Sequence, residues 1–205
     1  MVAIDPKELS AAALGRLLTA AITPRAIGWI STRSTDGIAN LAPFSFFTGV
    51  SYQPPTVLFC VGQRNSQEHR FKDTLQNVQE TGEFAVNFVT ETLAEAMNLS
   101  AVEAPPQVDE FLRAGVTAAA SQRIQAPHVA ESPLHFECKL QHCIATGAAH
   151  IVIGEVIHAR VDAAIYAGDG RIRLDKYQPI GRTSGPGYIL QGDRFEMRRP
   201  PPEIT

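Results

Sequence analysis

Two segments of the 205-residue chain combine residue types that could bind and orient a polar ligand. The first is Asn40-Leu41-Ala42-Pro43-Phe44-Ser45-Phe46-Phe47. It sets a side-chain amide, a proline and a hydroxyl along one short extended run. Proline has no N–H for a ladder, so it belongs at an edge or a bulge, where neighbouring backbone groups lose strand partners and can turn to a ligand. A flat heterocycle with alternating donors and acceptors suits such an edge. The plain alternative is a bulged edge strand whose Phe44, Phe46 and Phe47 pack the core. The second segment is Ser66-Gln67-Glu68-His69-Arg70-Phe71-Lys72-Asp73-Thr74-Leu75, where a loop enters a helix. Helix N-termini gather unpaired amides and a partial positive charge, which favours phosphate. Lys72 adds charge and Thr74 a hydroxyl donor. The alternative is an ordinary capped helix, with Asp73 as the N-cap and the basic residues solvated.

Other reactive residue types give weaker patterns. Cys60, Cys138 and Cys143 are too few and too odd in number for a disulfide framework. Cys138 and Cys143 lie near His135 and His142, but residues five apart on a regular strand face opposite sides, so they share no metal without a bulge. A structural role follows for both cysteines. His128, His135, His142 and His158 read as surface or strand positions, and Trp29 as core or interface. No Ser/His/Asp order marks a triad. Asp169 and Asp175 are spaced as turn residues. Gly185-Pro186-Gly187 follows no clear strand and opens no helix, so no dinucleotide fingerprint is present.

These segments need a scaffold, and the length and 44% hydrophobic content suffice for one domain spanning 1–205. The formal net charge of −3 offers no basic surplus for nucleic acid. Asp5 and Glu8 stand where a signal peptide is basic, and no apolar run approaches membrane-spanning length. A cytoplasmic protein that does not enter membranes is expected.

Residues 9–21 read as an N-terminal helix, ended by Pro24 and contained in an N-terminal unit 1–22. Apolar runs on either side of Asp36-Gly37 predict a hairpin, running over Ala26–Arg33 and Ile38–Phe47. Thr56–Val61 is a third, buried strand. Phe71, Leu75 and Val78 give a helix over 66–81, which Gly82 stops. Glu83–Val89 alternates as a strand, with Phe84, Val86 and Phe88 on one face. Thr92-Leu93-Ala94-Glu95 has the form of a capping box opening a short helix. Residues 100–133 form a long irregular excursion with one helical turn near Glu110–Ala114, a length that points to a site or an interface. Strands are expected near 134–145 and 149–161, and a turn at Asp169-Gly170. A glycine- and proline-rich extension covers 177–205. Five to seven strands with few helices and no βαβ alternation predict a mainly β protein, a closed antiparallel barrel with peripheral helices.

The run Ile22–Phe47 resembles the signature of the flavin reductase-like, FMN-binding split-barrel family. The likeness continues through Ser51–Val57, Lys72–Asn87 and His150–Val156. It resumes at Tyr177–Thr183, as in longer members, and is weakest over 100–130. The resemblance implies an antiparallel split β-barrel and a homodimer holding FMN at the subunit interface. It implies that Asn40, Leu41, Ala42, Pro43, Phe44 and Ser45 run along the isoalloxazine ring. Ser31 and Thr32 would approach the ribityl chain or phosphate. Lys72, Asp73 and Thr74 would hold the phosphate, with Arg64 and Asn65 as further contacts. His150, the catalytic candidate, would lie near the flavin from the barrel wall. Some members carry an acidic residue just before this histidine, where this chain has Ala149.

The activity so implied is that of an FMN-dependent oxidoreductase, an NAD(P)H-dependent flavin reductase. NADH or NADPH would share the flavin pocket, and electrons would pass to free flavin, a partner monooxygenase or another redox protein. Three alternatives stand beside it. One is a flavoredoxin-like electron carrier without NAD(P)H activity. Another is an FMN-dependent oxidase or small-molecule reductase with 100–133 as a substrate wall. The third is a non-catalytic barrel that serves as an interaction module.

Overall fold

In the computed structural model the described residues are 1–63 and 72–200. A helix α1 (Ala11–Ala21), capped by the Ser10 hydroxyl on the Ala13 amide, precedes the barrel. Strands β1 (Gly28–Arg33) and β2 (Ala39–Phe44) form the expected hairpin. Gly37 takes φ 86°, a left-handed value that glycine adopts at little cost. After β3 (Phe47–Tyr52) and β4 (Pro55–Gly62), helix α2 (Asp73–Thr81) is stopped by Gly82 at φ 69°. Then follow β5 (Glu83–Phe88), α3 (Ala94–Leu99) and α4 (Glu110–Ala114). The short strands β6 (Ala118–Ala119) and β7 (His128–Val129) precede β8 (Leu134–Thr146) and β9 (Ala149–Val161).

Seven strands form one antiparallel sheet in the order β2-β1-β5-β8-β9-β4-β3. Its two edge strands, β2 and β3, are consecutive in the chain and joined only by Ser45 and Phe46. The Cys60 amide donates to the Phe46 carbonyl at 2.9 Å. The sheet therefore curls round until its ends meet, closed at this seam by the chain crossing and not by a ladder. This is the split barrel. Ile30, Phe44, Phe59, Val61, Phe84, Val86 and Val152 fill the interior, and Leu75 and Val78 of α2 plug one end. Expecting one run over Ile38–Phe47 missed this crossing, because the aromatic residues continue through it.

Three further expectations need correction. Pro43 does not interrupt the ladder, since β1 and β2 stay in register from Gly28 opposite Phe44 to Arg33 opposite Ala39. The outward side of β2 is the side on which the Leu41 amide donates to Glu110. Alternation puts Pro43 on that same side, where no ladder N–H is needed. The capping box at Thr92 does not form: Leu93 holds the N-cap position of α3, and the Thr92 hydroxyl pairs with Thr90. Cys138 and Cys143 both meet the barrel core, because the bulge at Leu140/His142, which adds Gln141 to β8, shifts the alternation between them. Among the described residues no cluster of three metal-ligating side chains exists.

The outer face of β1, β5 and β8 explains how the 100–133 excursion is held. Its backbone is met by buried polar side chains of the sheet. Asn87 accepts from the Val129 amide at 2.8 Å and donates to the Trp29 carbonyl and the Ser31 hydroxyl. The Ser31 hydroxyl donates to the Pro127 carbonyl. The Glu137 carboxylate, fully buried, accepts from the Gln122 and Arg123 amides at 2.9 and 2.6 Å. A segment whose own ladder is only the short β6–β7 pair thus satisfies further backbone groups on the sheet. A second apolar cluster lies outside the barrel under α3 and α4, built on Trp29, Leu41, Met97 and Phe111. The Trp29 indole donates to Ser100 at 2.8 Å, which settles its core role.

His128 and His135 lie on strands but are buried, their rings stacked 3.8 Å apart. Burial, with His128 alongside, pushes His135 down to about 4. The unfolded chain therefore takes up this proton first as pH falls, so stability is lost between the ordinary histidine value and about 4. The linkage is worth up to about 3 kcal/mol. Urea unfolding followed from neutral pH downward should show this loss, and His135→Gln should flatten it. Identical slopes in both proteins would remove His135 as the cause.

Candidate functional site

Helix α2 points its N-terminus at the β1–β2 hairpin. Lys72 occupies the N-cap position in extended conformation, with no side-chain cap, and Asp73 is the first helical residue. Asp73 is therefore not the N-cap that a plain capped helix would use. The first intrahelical bonds come from the Leu75 and Gln76 amides to the Lys72 carbonyl. The Asp73 and Thr74 amides precede them and have no intrahelical acceptor.

Thr74, 1% exposed, faces inward onto Asn40. Its hydroxyl donates to Asn40 Oδ1 at 2.8 Å, and the Thr32 hydroxyl does so at 3.2 Å. Asn77, one turn along α2, donates to Thr32 at 3.0 Å. Thr32 and Asn40 are directly opposed on β1 and β2. On the far side of Asn40, its Nδ2 donates to Glu110 Oε2 at 3.0 Å, and the Leu41 amide reaches the same oxygen at 3.3 Å. Glu110 is 4% exposed, and burial raises its carboxyl above the usual range, with Asp73 adding to the rise.

The structure thus brings Thr32, Asn40, Leu41 and Thr74 into one hydrogen-bonded cluster, with Lys72 and Asp73 at its mouth. Ser31 stands apart, on the outer face, with its hydroxyl spent on Pro127. Ala42, Pro43 and Ser45 are half-buried along the β2 edge, and Phe44 is buried in the barrel. Ser45 is tied by Arg25, which also donates to the carbonyls of Thr19, Ile22 and Thr183. That buried guanidinium locks the end of α1, the site strand and the C-terminal extension together. Arg64 and Asn65 lie outside the described residues. His150 is half-buried opposite Val61 and shares the barrel-facing side with Val152. Around the barrel it is separated from β2 by β4 and β3 one way, and by β8, β5 and β1 the other.

Two cavities meet at Asn40, Asp73 and Glu110, and only the smaller has a basic residue in its lining. The smaller, about 40 Å³, opens beside Lys72, Thr74 and Ala42, with Asp73, Glu103 and Glu110 also in its wall. The larger, about 160 Å³, is walled by Asp36, Asp73 and Glu80 and repels an anion. A phosphate suits the Lys72 side better, where a cationic amine lies beside the first amides of α2. The β2 edge offers a ring mainly acceptors: the Leu41 amide is taken by Glu110, and Pro43 has only its carbonyl. The residues present therefore fit the phosphate end of a flavin nucleotide at Lys72 and Thr74, and a ring N–H along the strand.

Reading residue types alone missed Asn77 and Glu110. Asn77 follows Thr74 by three positions, so helical periodicity alone puts it on the same face. Glu110 arrives from 70 residues away and carries no local signal.

The chain belongs to the family of the flavin reductase like domain, whose model matches residues 20–173. Among its relatives, an uncharacterized protein of Aquifex aeolicus is 39% identical over 183 residues, covering 89% of this chain and 92% of that one. Among solved structures, nitrilotriacetate monooxygenase component B of Bacillus cereus superposes with a TM-score of 0.91 at 32% identity, covering 96% of this chain and 98% of that one. The Pseudomonas fluorescens 2-nitrobenzoate 2-nitroreductase NbaA gives a TM-score of 0.87 at 29% identity, covering 97% and 96%. Among the described residues no helix is long and apolar enough to cross a membrane.

Proposed function

We propose that this protein binds FMN and acts as an NAD(P)H-dependent flavin reductase, passing electrons to a partner monooxygenase or another redox acceptor. The observation that carries the reading is the meeting of the uncapped α2 mouth with the β2 edge. Lys72 and Thr74 share one cluster with Asn40. The family supports a flavin as the cofactor. The Bacillus cereus relative, a monooxygenase component B, supports an oxygenase as acceptor.

When bound, the flavin supplies the two-electron redox chemistry. The chain's own residues hold and orient it. Lys72 neutralises phosphate charge, and the Asp73 and Thr74 amides direct hydrogen bonds to its oxygens. The outward carbonyls of Leu41 and Pro43 fix the ring along the strand. His150 belongs to the opposite wall, so on a single chain it does not touch a ring lying along β2.

A second copy of the chain fits this reading. Strand β3 is an exposed edge, with Tyr52 97% and Val50 52% accessible. Bare apolar edges invite pairing, and a homodimer covers them.

Anaerobic mixing of the FMN-loaded protein with NADH, and separately with NADPH, tests the activity. Loss of the visible flavin band with at least one of them is the expected result. A bound flavin that neither nicotinamide bleaches, while a reduced redox protein does, would instead select the electron-carrier role.

A further inference from the structure

Every proton in the cluster around Asn40 points toward one carboxylate. Asn77 donates to Thr32, and Thr32 and Thr74 donate to Asn40 Oδ1. Asn40 Nδ2 and the Leu41 amide then donate to Glu110. An ionised carboxylate accepts only, so it forces the Asn40 amide to turn its N–H side toward α4. Asn40 then presents a carbonyl to Thr74, and the Thr74 hydroxyl proton is committed inward. At the α2 mouth Thr74 shows lone pairs, the wrong polarity for a phosphate oxygen. Glu110 also stands one amide away from Thr74, so its negative charge opposes any anion seated there.

Resting on the flavin-nucleotide reading above, we propose that Glu110 is a positioning residue that couples the phosphate grip to its own proton. As a carboxylate it holds Asn40 against Thr74. On taking up a proton it becomes a donor to Asn40 Oδ1. The amide turns over, Asn40 Nδ2 satisfies the threonine hydroxyls from behind, and Thr74 is released to donate to the phosphate. The charge opposing the phosphate disappears in the same step. FMN binding is thus linked to uptake of one proton.

The groups facing Glu110 agree with this direction. On its own helix stand Asp109, which caps α4, and Arg113. From α2 come Lys72 and Asp73, and from the segment after α3 comes Glu103, which lines the same small cavity. Asp36 and Glu80 face it across the larger cleft. Strand β2 supplies only the neutral Asn40 and the Leu41 amide. Burial within this mainly acidic surround favours the protonated carboxyl.

The test compares FMN with riboflavin, which lacks the phosphate, in binding titrations of wild-type protein and Glu110→Gln from about pH 5 to about pH 8, a range above the ordinary carboxylate value. Glutamine carries no charge at any pH and is able to donate to Asn40, so the variant should bind FMN roughly tenfold more tightly than wild type at the alkaline end, the scale of one removed charge. The ratio should shrink toward one at the acid end, which also cancels titration of the FMN phosphate itself. Riboflavin should show a ratio that does not change with pH, and Thr74→Ala should reduce the gain to the part due to the removed charge. An FMN ratio independent of pH, or a riboflavin ratio moving in parallel, overturns the coupling. Calorimetry of wild type alone gives a second route. At the pH where the ratio changes most steeply, FMN binding should take up roughly half a proton, the ceiling that a tenfold linkage sets, across buffers of different ionisation heat. Uptake near zero overturns the proposal while leaving FMN binding intact. Absence of FMN binding by either protein at any pH overturns the cofactor reading as well.

Discussion

Replacing Lys72 and Thr74 together by alanine is expected to weaken FMN binding by about 2–5 kcal/mol, the sum of a charge-assisted contact and a hydroxyl contact. That is roughly a thirtyfold to several-thousandfold rise in Kd. Lys72 is half-exposed at the N-cap of α2 and makes no cap bond, so its loss leaves the helix intact. Thr74 is buried, and its loss costs Asn40 one of two hydroxyl donors, while Thr32 still serves that oxygen. Fluorescence quenching of FMN titrated with each protein measures the effect, and a melting curve shows whether the variant remains folded. A folded double variant with unchanged Kd would move the phosphate away from α2.

The second large effect concerns the excursion. Asn87 is fully buried and serves three partners at once: the Trp29 carbonyl, the Ser31 hydroxyl and the Val129 amide. Asn87→Ala leaves those groups without their bonds in a site closed to water. A loss of about 3–5 kcal/mol follows from several uncompensated polar groups. Residues around 127–129 should become open to proteolysis and hydrogen exchange before the barrel does. Denaturant unfolding gives the total, and exchange at the Val129 amide locates it. Stability within about 1 kcal/mol of wild type would mean that apolar contacts alone anchor the excursion.

Much of this architecture was legible because its signals are local. Asp36-Gly37 between two apolar runs marked the β1–β2 hairpin, and the stop at Gly82 was read from one residue. Strands expected near 134–145 and 149–161 match β8 and β9 closely. What escaped depends on contacts distant in sequence. The crossing at Ser45-Phe46 is hidden inside a continuous aromatic run, and only closure of the barrel requires it. The bulge at Leu140/His142 that brings Cys138 and Cys143 to one core is set by pairing with β9, not by either cysteine's neighbours.

The candidate site divides the same way. Lys72, Thr74 and Asn40 were legible from residue type and helix position. Glu110 was not, because its carboxylate acquires meaning only once α4 packs on β2. The edge amide expected to meet a ring is instead occupied by that carboxylate at Leu41. Ser31 shows the limit of reading a strand end as one unit. Alternation turns Thr32 toward α2 and Ser31 toward Pro127, so adjacent hydroxyls enter separate networks.

The most direct measurement is a crystal structure of the protein soaked with FMN. The account predicts the phosphate within hydrogen-bonding distance of Lys72 Nζ and the Asp73 and Thr74 amides, with the ring running along Ala42–Ser45. A nucleotide seated elsewhere, with residues 72–74 turned away from it, would contradict the account.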